Sequence, residues 1–176
     1  MKKSKRRRKR REWRRHQIKS LTDEIENCLN AELWFAALVL VLILPDICVS
    51  LGLAKGKTNG DLYDKWCKKW LANEYAPVSE DLYYLRCGVA HQATSQHQAI
   101  KSKRIFFTVG SKDAHMKKHQ GALTLDLSTF AEDMIDAVEA WYAKEANDQT
   151  VQKNIGAVIQ RYPIGSLDFL NVAAIG

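Results

Sequence analysis

Apolar residues recur along this chain with two different periods. Leu62, Trp66 and Trp70 stack at i, i+4 and i+8, and Leu82, Leu85 and Val89 form a stripe of the same kind. Both stripes predict amphipathic helices. Thr22, Asp23 and Glu24 predict a helix start, with Thr22 as cap and the acids at the positive end. That helix is expected to reach residue 44 with a bend or break near Asn30. Pro45-Asp46 predicts a fresh short helix over 47–51, ended by Gly52. Residues 54–60 read as loop, Asp61 as the cap of the Trp66 helix, and Ser79 as the cap of the next. Residues 92–103 are polar and read as loop. The pattern then changes to period two or to β-branched and aromatic runs at 104–110 and 123–127. These predict two strands pairing as a hairpin across a basic loop that holds His115 and His119. Thr129 and Glu132 form a capping box for a long helix with Phe130, Met134, Ile135, Val138, Trp141 and Tyr142 on one face. Residues 151–162 predict a further helix ended by Pro163. The fold class is therefore mainly α: a helical bundle with a small β-hairpin insertion (about 104–127) before the last long helix.

A length of 176 residues and a hydrophobic fraction of 46% suit one core and exclude global disorder. No segment of 20 to 50 residues repeats. The formal charge of +7 is unevenly placed. Residues 1–15 hold eleven of the 27 Lys and Arg and one Glu, leaving 16 cations against 19 acids for the rest. Residues 1–19 thus form a basic tail, too self-repelling to fold alone, and 20–176 form a single domain. Lys2, Lys3, Arg6, Arg7, Arg8, Arg10 and Arg11 are candidates for non-specific contact with a polyanion such as RNA. A solvated tail, a nuclear address and attraction to an anionic membrane are the competing readings. Cys28, Cys48, Cys67 and Cys87 are scattered on expected helices with no CxxC pair, which points to buried thiols in a reducing, cytoplasmic setting. Residues 33–44 are an unbroken apolar run of 12. A spanning helix needs about 20, and an extension would place Pro45, Asp46 and Ser50 in the bilayer. A buried core helix is the expectation and a membrane anchor the alternative.

Candidate chemistry concentrates in Arg86-Cys87-Gly88-Val89-Ala90-His91. An arginine grips phosphate oxygens through paired hydrogen bonds, and a histidine exchanges protons near neutral pH. These two side chains suffice for cleaving RNA without a metal. The Arg-x4-His spacing, preceded by the apolar run that ends in Pro45-Asp46 and followed by the Trp141 helix, resembles the HEPN superfamily over residues 31–144. Many members of that family are ribonucleases built as small helical bundles, with Arg-x4-6-His at the catalytic centre. In many active members the residue after the arginine is polar; here it is Cys87. The resemblance implies Arg86 and His91 as catalytic residues. It also implies a homodimer whose two motif helices form one cleft, since five residues of regular helix turn the pair about 140° apart.

The implied function is a metal-independent endoribonuclease, a toxin or defence effector restrained by an antitoxin or regulatory protein, with no cofactor. His91 would move the 2′-hydroxyl or leaving-group proton and Arg86 would stabilise the charged phosphorus oxygens. The alternative is a catalytically silent HEPN-like module that binds RNA, nucleotide or a protein partner. Other patterns carry less. His115 and His119 have metal-pair spacing but enclose Lys117 and Lys118 and lack the glutamate of HExxH, so they read as loop residues. Tyr83, Tyr84, Trp66 and Trp70 could stack on bases, but at helical spacing they read as core. Gly88 within a helix suggests the close approach of a neighbouring helix.

Overall fold

The computed structural model describes residues 17–102, 104–159, 161–162, 164–166, 169 and 172–175. Helix α1 (Gln17–Asn30) and helix α2 (Trp34–Leu51) meet at a corner where Glu32 takes a left-handed conformation (φ 57°). The expected break near Asn30 is there. However, α1 already includes residues 17–19, with Ile18 fully buried, rather than starting at Thr22. Thr22 is not a cap: it is buried within α1 and donates its hydroxyl hydrogen to the Lys19 carbonyl at 3.1 Å.

Helix α2 passes straight through Pro45, contrary to the expected break. An internal proline loses one helical hydrogen bond and crowds the preceding turn, at about 3 kcal/mol. Burial of Leu42, Leu44, Cys48 and Leu51 around it outweighs that loss. The Tyr63 hydroxyl also donates to the Leu42 carbonyl at 2.9 Å, beside the disturbed turn. Among the described residues α2 is the helix long and apolar enough to cross a membrane by length and composition. Its all-round apolarity has a cause inside the bundle. It packs on α1, on α3 (Gly60–Trp70), on α4 (Ser79–Gln92), on α5 (Leu127–Glu145) and on α6 (Gln149–Ile155). One face stays half-buried, along Ala36, Leu40, Ile43 and Ile47.

Three helix starts differ from expectation by one to three residues. Asn59, not Asp61, caps α3 by accepting from the Leu62 amide at 3.0 Å. The buried stripe of α3 is accordingly Tyr63, Trp66 and Cys67, with Leu62 half-exposed. Ser79 lies inside α4 and donates to Asp64 and to the Ala76 carbonyl, while a 3-10 turn at Asn73–Val78 leads in. Asp126, not Thr129, caps α5. After α6, a two-residue pair Arg161–Tyr162 with Ala174–Ile175 replaces the helix expected to reach 162.

The sheet is the largest correction. Strand β1 (Arg104–Thr108) pairs in parallel with β3 (Ala122–Asp126), so the two are not a hairpin. A third strand, β2 (Lys117–His119), lies antiparallel on the far side of β3, giving the order β1-β3-β2. The tight hairpin is β2–β3, closed by Gln120 and Gly121, both with positive φ (49° and 84°). The inner face carries Ile105, Phe107, Leu123 and Leu125 toward α5, where Phe107 meets Phe130 at 5.9 Å between ring centres.

Asp126 ties the sheet to α5. Its carboxylate accepts from the Thr129 amide (3.0 Å), the Thr129 hydroxyl (2.9 Å) and the Ser111 amide (2.9 Å). Burial pushes this carboxyl up, but the Thr129 and Ser111 donors outweigh it and hold it below the ordinary aspartate range. A folded-state value below the unfolded one contributes stability that is complete above about pH 4 and lost as pH falls through the folded value. Asp126→Ala is expected to lower unfolding free energy at pH 7 by roughly 2 kcal/mol, from one lost cap and the part-buried Ser111 amide bond. Urea midpoints should also fall less steeply between pH 5 and pH 2.5 than in the parent. A variant as stable as the parent at pH 7 contradicts this role.

Candidate functional site

Helix α4 carries the motif, and its two ends are anchored separately. At its start Asp81 is buried and accepts from the Lys101 amide (2.8 Å) and the Ser102 amide (3.1 Å). The loop that leaves the motif is thereby tied back to the first turn. At its end Ala93 adopts a left-handed conformation (φ 52°), and the Thr94 amide folds back onto the Gly88 carbonyl at 3.2 Å.

Arg86 is half-buried against α2. Its Nη2 forms an ion pair with Asp46 Oδ2, and its Nη1 contacts Cys87 Sγ at 3.8 Å. Burial pulls the guanidinium down, yet the facing Asp46 carboxylate and Cys87 bring the net shift upward. Arg86 is therefore a permanent cation. Asp46 Oδ1 and Arg86 Nε are buried without a hydrogen-bond partner among the described residues. Asp46 completes this constellation, and sequence reasoning missed it as a functional residue, taking it as a helix start. The available signal was a lone acid inside an apolar run, facing a bundle that also holds a lone arginine.

His91 lies in the last turn of α4 and is exposed. Because α4 stays regular to Gln92, Arg86 and His91 point about 140° apart and about 7.5 Å along the axis. Within one chain the arginine turns inward to α2 and the histidine outward. Cys87 is half-buried, and the Tyr83 hydroxyl lies in its reach. Burial, then Cys87, raises the Tyr83 phenol. The basic residues Lys2, Lys3, Arg6, Arg7, Arg8, Arg10 and Arg11 lie outside the described residues.

Gly88 accommodates the chain's own return loop, not a neighbouring helix. A Cβ there would sit 2.7 Å from the Thr94 carbonyl oxygen and 3.4 Å from Thr94 Cγ2. Gly88→Ala gains about 1 kcal/mol of helix propensity but must displace that backbone. The expected net result is a loss of roughly 1–2 kcal/mol, read as a Tm lower by about 2–8 °C. A Tm equal to or above the parent's would show that the loop yields freely.

The remaining candidates resolve as follows. Trp66 is buried, and Tyr83, Tyr84 and Trp70 pack against the core. Tyr84 also stacks on His97 at 5.0 Å between ring centres. His115 and His119 do not act as a pair: His119 is exposed on β2, while His115 is half-buried in a separate cluster. In that cluster Glu74, His115 and Asp133 bring ligand-type atoms within 4.8 Å of one another. Its hydrogen bonds oppose a cation. His115 Nδ1 accepts from the Asp126 amide at 3.1 Å, which leaves the ring proton on Nε2. Nε2 then donates to the Tyr75 hydroxyl at 2.9 Å, and that hydroxyl donates to Asp133 Oδ2 at 2.6 Å. Burial, reinforced by Asp133, pushes the Tyr75 phenol far up and keeps it a donor. No imidazole lone pair remains for a metal, so the cluster reads as a strut joining the 3-10 turn, the sheet and α5.

Comparison of the chain with protein-family models, with curated proteins and with solved structures finds no match.

Proposed function

We propose that this chain is a metal-independent endoribonuclease of HEPN type, working as a homodimer. The observation that carries the reading is the Arg86–Asp46 ion pair, which holds a motif guanidinium at a half-buried position while His91 stands exposed on the same helix. In the proposed reaction His91 takes the ribose 2′-hydroxyl proton or protonates the leaving 5′-oxygen. Arg86 stabilises the charge growing on the non-bridging oxygens. The bond from phosphorus to the 5′-oxygen breaks as the 2′-oxygen attacks, leaving a 2′,3′-cyclic phosphate and a 5′-hydroxyl. DNA has no such nucleophile.

A single helix cannot bring the two side chains to one phosphate, so a second copy supplies the complementary half. The half-buried stripe Ala36, Leu40, Ile43 and Ile47, spaced four, three and four residues apart, favours this association. The basic residues of the tail add sequence-independent attraction to RNA. A toxin or defence role, restrained by an antitoxin or regulatory protein in the cytoplasm, follows from such an activity.

A second reading is a silent module binding RNA, nucleotide or protein. It is favoured by Cys87, a half-buried thiol where many active members of the family carry a polar residue after the arginine. Incubating RNA with the purified chain in EDTA separates the two. The first reading expects fragments with cyclic phosphate ends, a dimer by light scattering, and loss of both in Ile43→Arg. Intact RNA, or cleavage by a protein that remains monomeric, rejects it.

A further inference from the structure

The observed strand pairing gathers onto one sheet face side chains that are scattered in sequence. In register, Arg104 lies beside Ala122 and Phe106 beside Thr124, while Lys117 lies beside Thr124 and His119 beside Ala122. Paired positions share a face, and alternate positions along a strand return to it. The opposite face is the apolar one already described. The outer face thus presents Arg104, Phe106, Lys117 and His119 around the small side chains of Ala122 and Thr124. Phe106 is 45% exposed, and Arg104, Lys117 and His119 are exposed. The Arg104 guanidinium stands 4.6 Å from the Phe106 ring centre. Asp126, the acid at the end of the same row, is fully buried beneath its own donors.

A single exposed phenylalanine is ordinary on a protein surface. This one has a guanidinium over its ring, cations on both edge strands and no exposed acid in the row. Adjacent strands are about 4.8 Å apart, so β1 and β2 run about 10 Å from each other on either side of β3. That combination matches a polyanion with free ring faces: bases stack on the aromatic ring and phosphates meet the flanking charges. A duplex keeps its ring faces stacked internally and gains only the charge.

We propose that the outer face of the β1-β3-β2 sheet is a docking platform for single-stranded RNA, with a base stacked on Phe106 and phosphates held by Arg104 and Lys117. The choice of RNA rests on the ribonuclease reading; the stacking and charge argument does not.

The test uses the full chain carrying His91→Ala and a labelled 12-nucleotide single-stranded RNA. Fluorescence anisotropy is read at about 0.3 M salt, where sequence-independent attraction by the tail is weakened. Phe106→Ala is expected to weaken binding about 10-fold and Phe106→Trp to restore it. Replacing Arg104 and Lys117 together by Glu should weaken binding further and reduce the salt slope by about 1.4. Lys118→Glu makes half that charge change on the neighbouring residue, whose register partner is Leu123 of the inner face, and should stay within about 3-fold. Unchanged binding by Phe106→Ala, equal damage by Lys118→Glu, or single-stranded DNA binding tenfold more tightly than RNA overturns the platform. Cleavage by the parent with binding indifferent to Phe106 removes the platform and leaves the nuclease. Phe106-dependent binding without cleavage by the parent does the reverse.

Discussion

His91→Ala is expected to reduce RNA cleavage by at least 100-fold while leaving the Tm within about 1 °C of the parent. A positioned general acid or base contributes about 10²–10⁴-fold, and His91 carries the motif's imidazole. The structural side is equally direct. His91 is exposed, makes no side-chain hydrogen bond among the described residues, and sits one residue before the end of α4. Exposed substitutions of that kind shift stability by no more than about 0.5 kcal/mol. The proposed nuclease therefore expects lost cleavage with an intact fold. Arg86→Ala should differ, because it removes activity and also strands Asp46. Arg86→Lys keeps a charge but not the planar fork, so it should recover more stability than cleavage. The measurement is a gel assay in EDTA beside a thermal melt for each variant. Parent-level cleavage by His91→Ala would remove the histidine from the mechanism and with it the proposed nuclease.

The helical character of this chain was legible in its apolar stripes because burial and period act over many residues. The stripes of α4 and α5 are the ones the core uses: Leu82, Leu85 and Val89 on one, and Phe130, Met134, Val138 and Trp141 on the other. Capping was read less well. Thr22, Asp61, Ser79 and Thr129 are good caps by type, but Asn59 and Asp126 take the cap positions two and three residues ahead of Asp61 and Thr129. Local propensity cannot rank adjacent Asn, Asp, Ser and Thr, whereas packing of the following helix can. Pro45 failed as a stop signal because the tertiary burial of α2 exceeds a local loss. The parallel β1–β3 pairing was hidden since β2 is only three residues long and wholly polar, so its period carries no signal.

The motif shows the same division. Arg86 and His91 stand out by residue type and spacing, and α4 extends over both. Asp46 could not be found by spacing, because its partner lies 40 residues away and only the α2–α4 packing brings them together. Likewise Arg104, Phe106 and Lys117 are unremarkable in order along the chain. They become one surface through a strand register that the sequence pattern did not reveal.

Asp46→Ala is expected to lower stability by roughly 3 kcal/mol. Removing one partner of a buried pair costs about 3–5 kcal/mol, and partial solvent access to Arg86 places this pair at the lower end. For a chain of 176 residues that corresponds to a Tm lower by about 6–12 °C. The informative comparison is with the doubly apolar variant Asp46→Leu with Arg86→Met. Replacing both charges by side chains of similar size is often neutral or stabilising, since neither must then be desolvated. The double variant should therefore melt near the parent temperature, although Asp46→Ala does not. If it also fails to cleave RNA, the two charges are retained against the interest of stability, which is the behaviour of a site and not of a structural tie. The coupling between the two positions follows from melts of both singles and the double. Additive losses, with no recovery in the double, would mean that α2 and α4 are joined by packing alone and that Asp46 does not position Arg86.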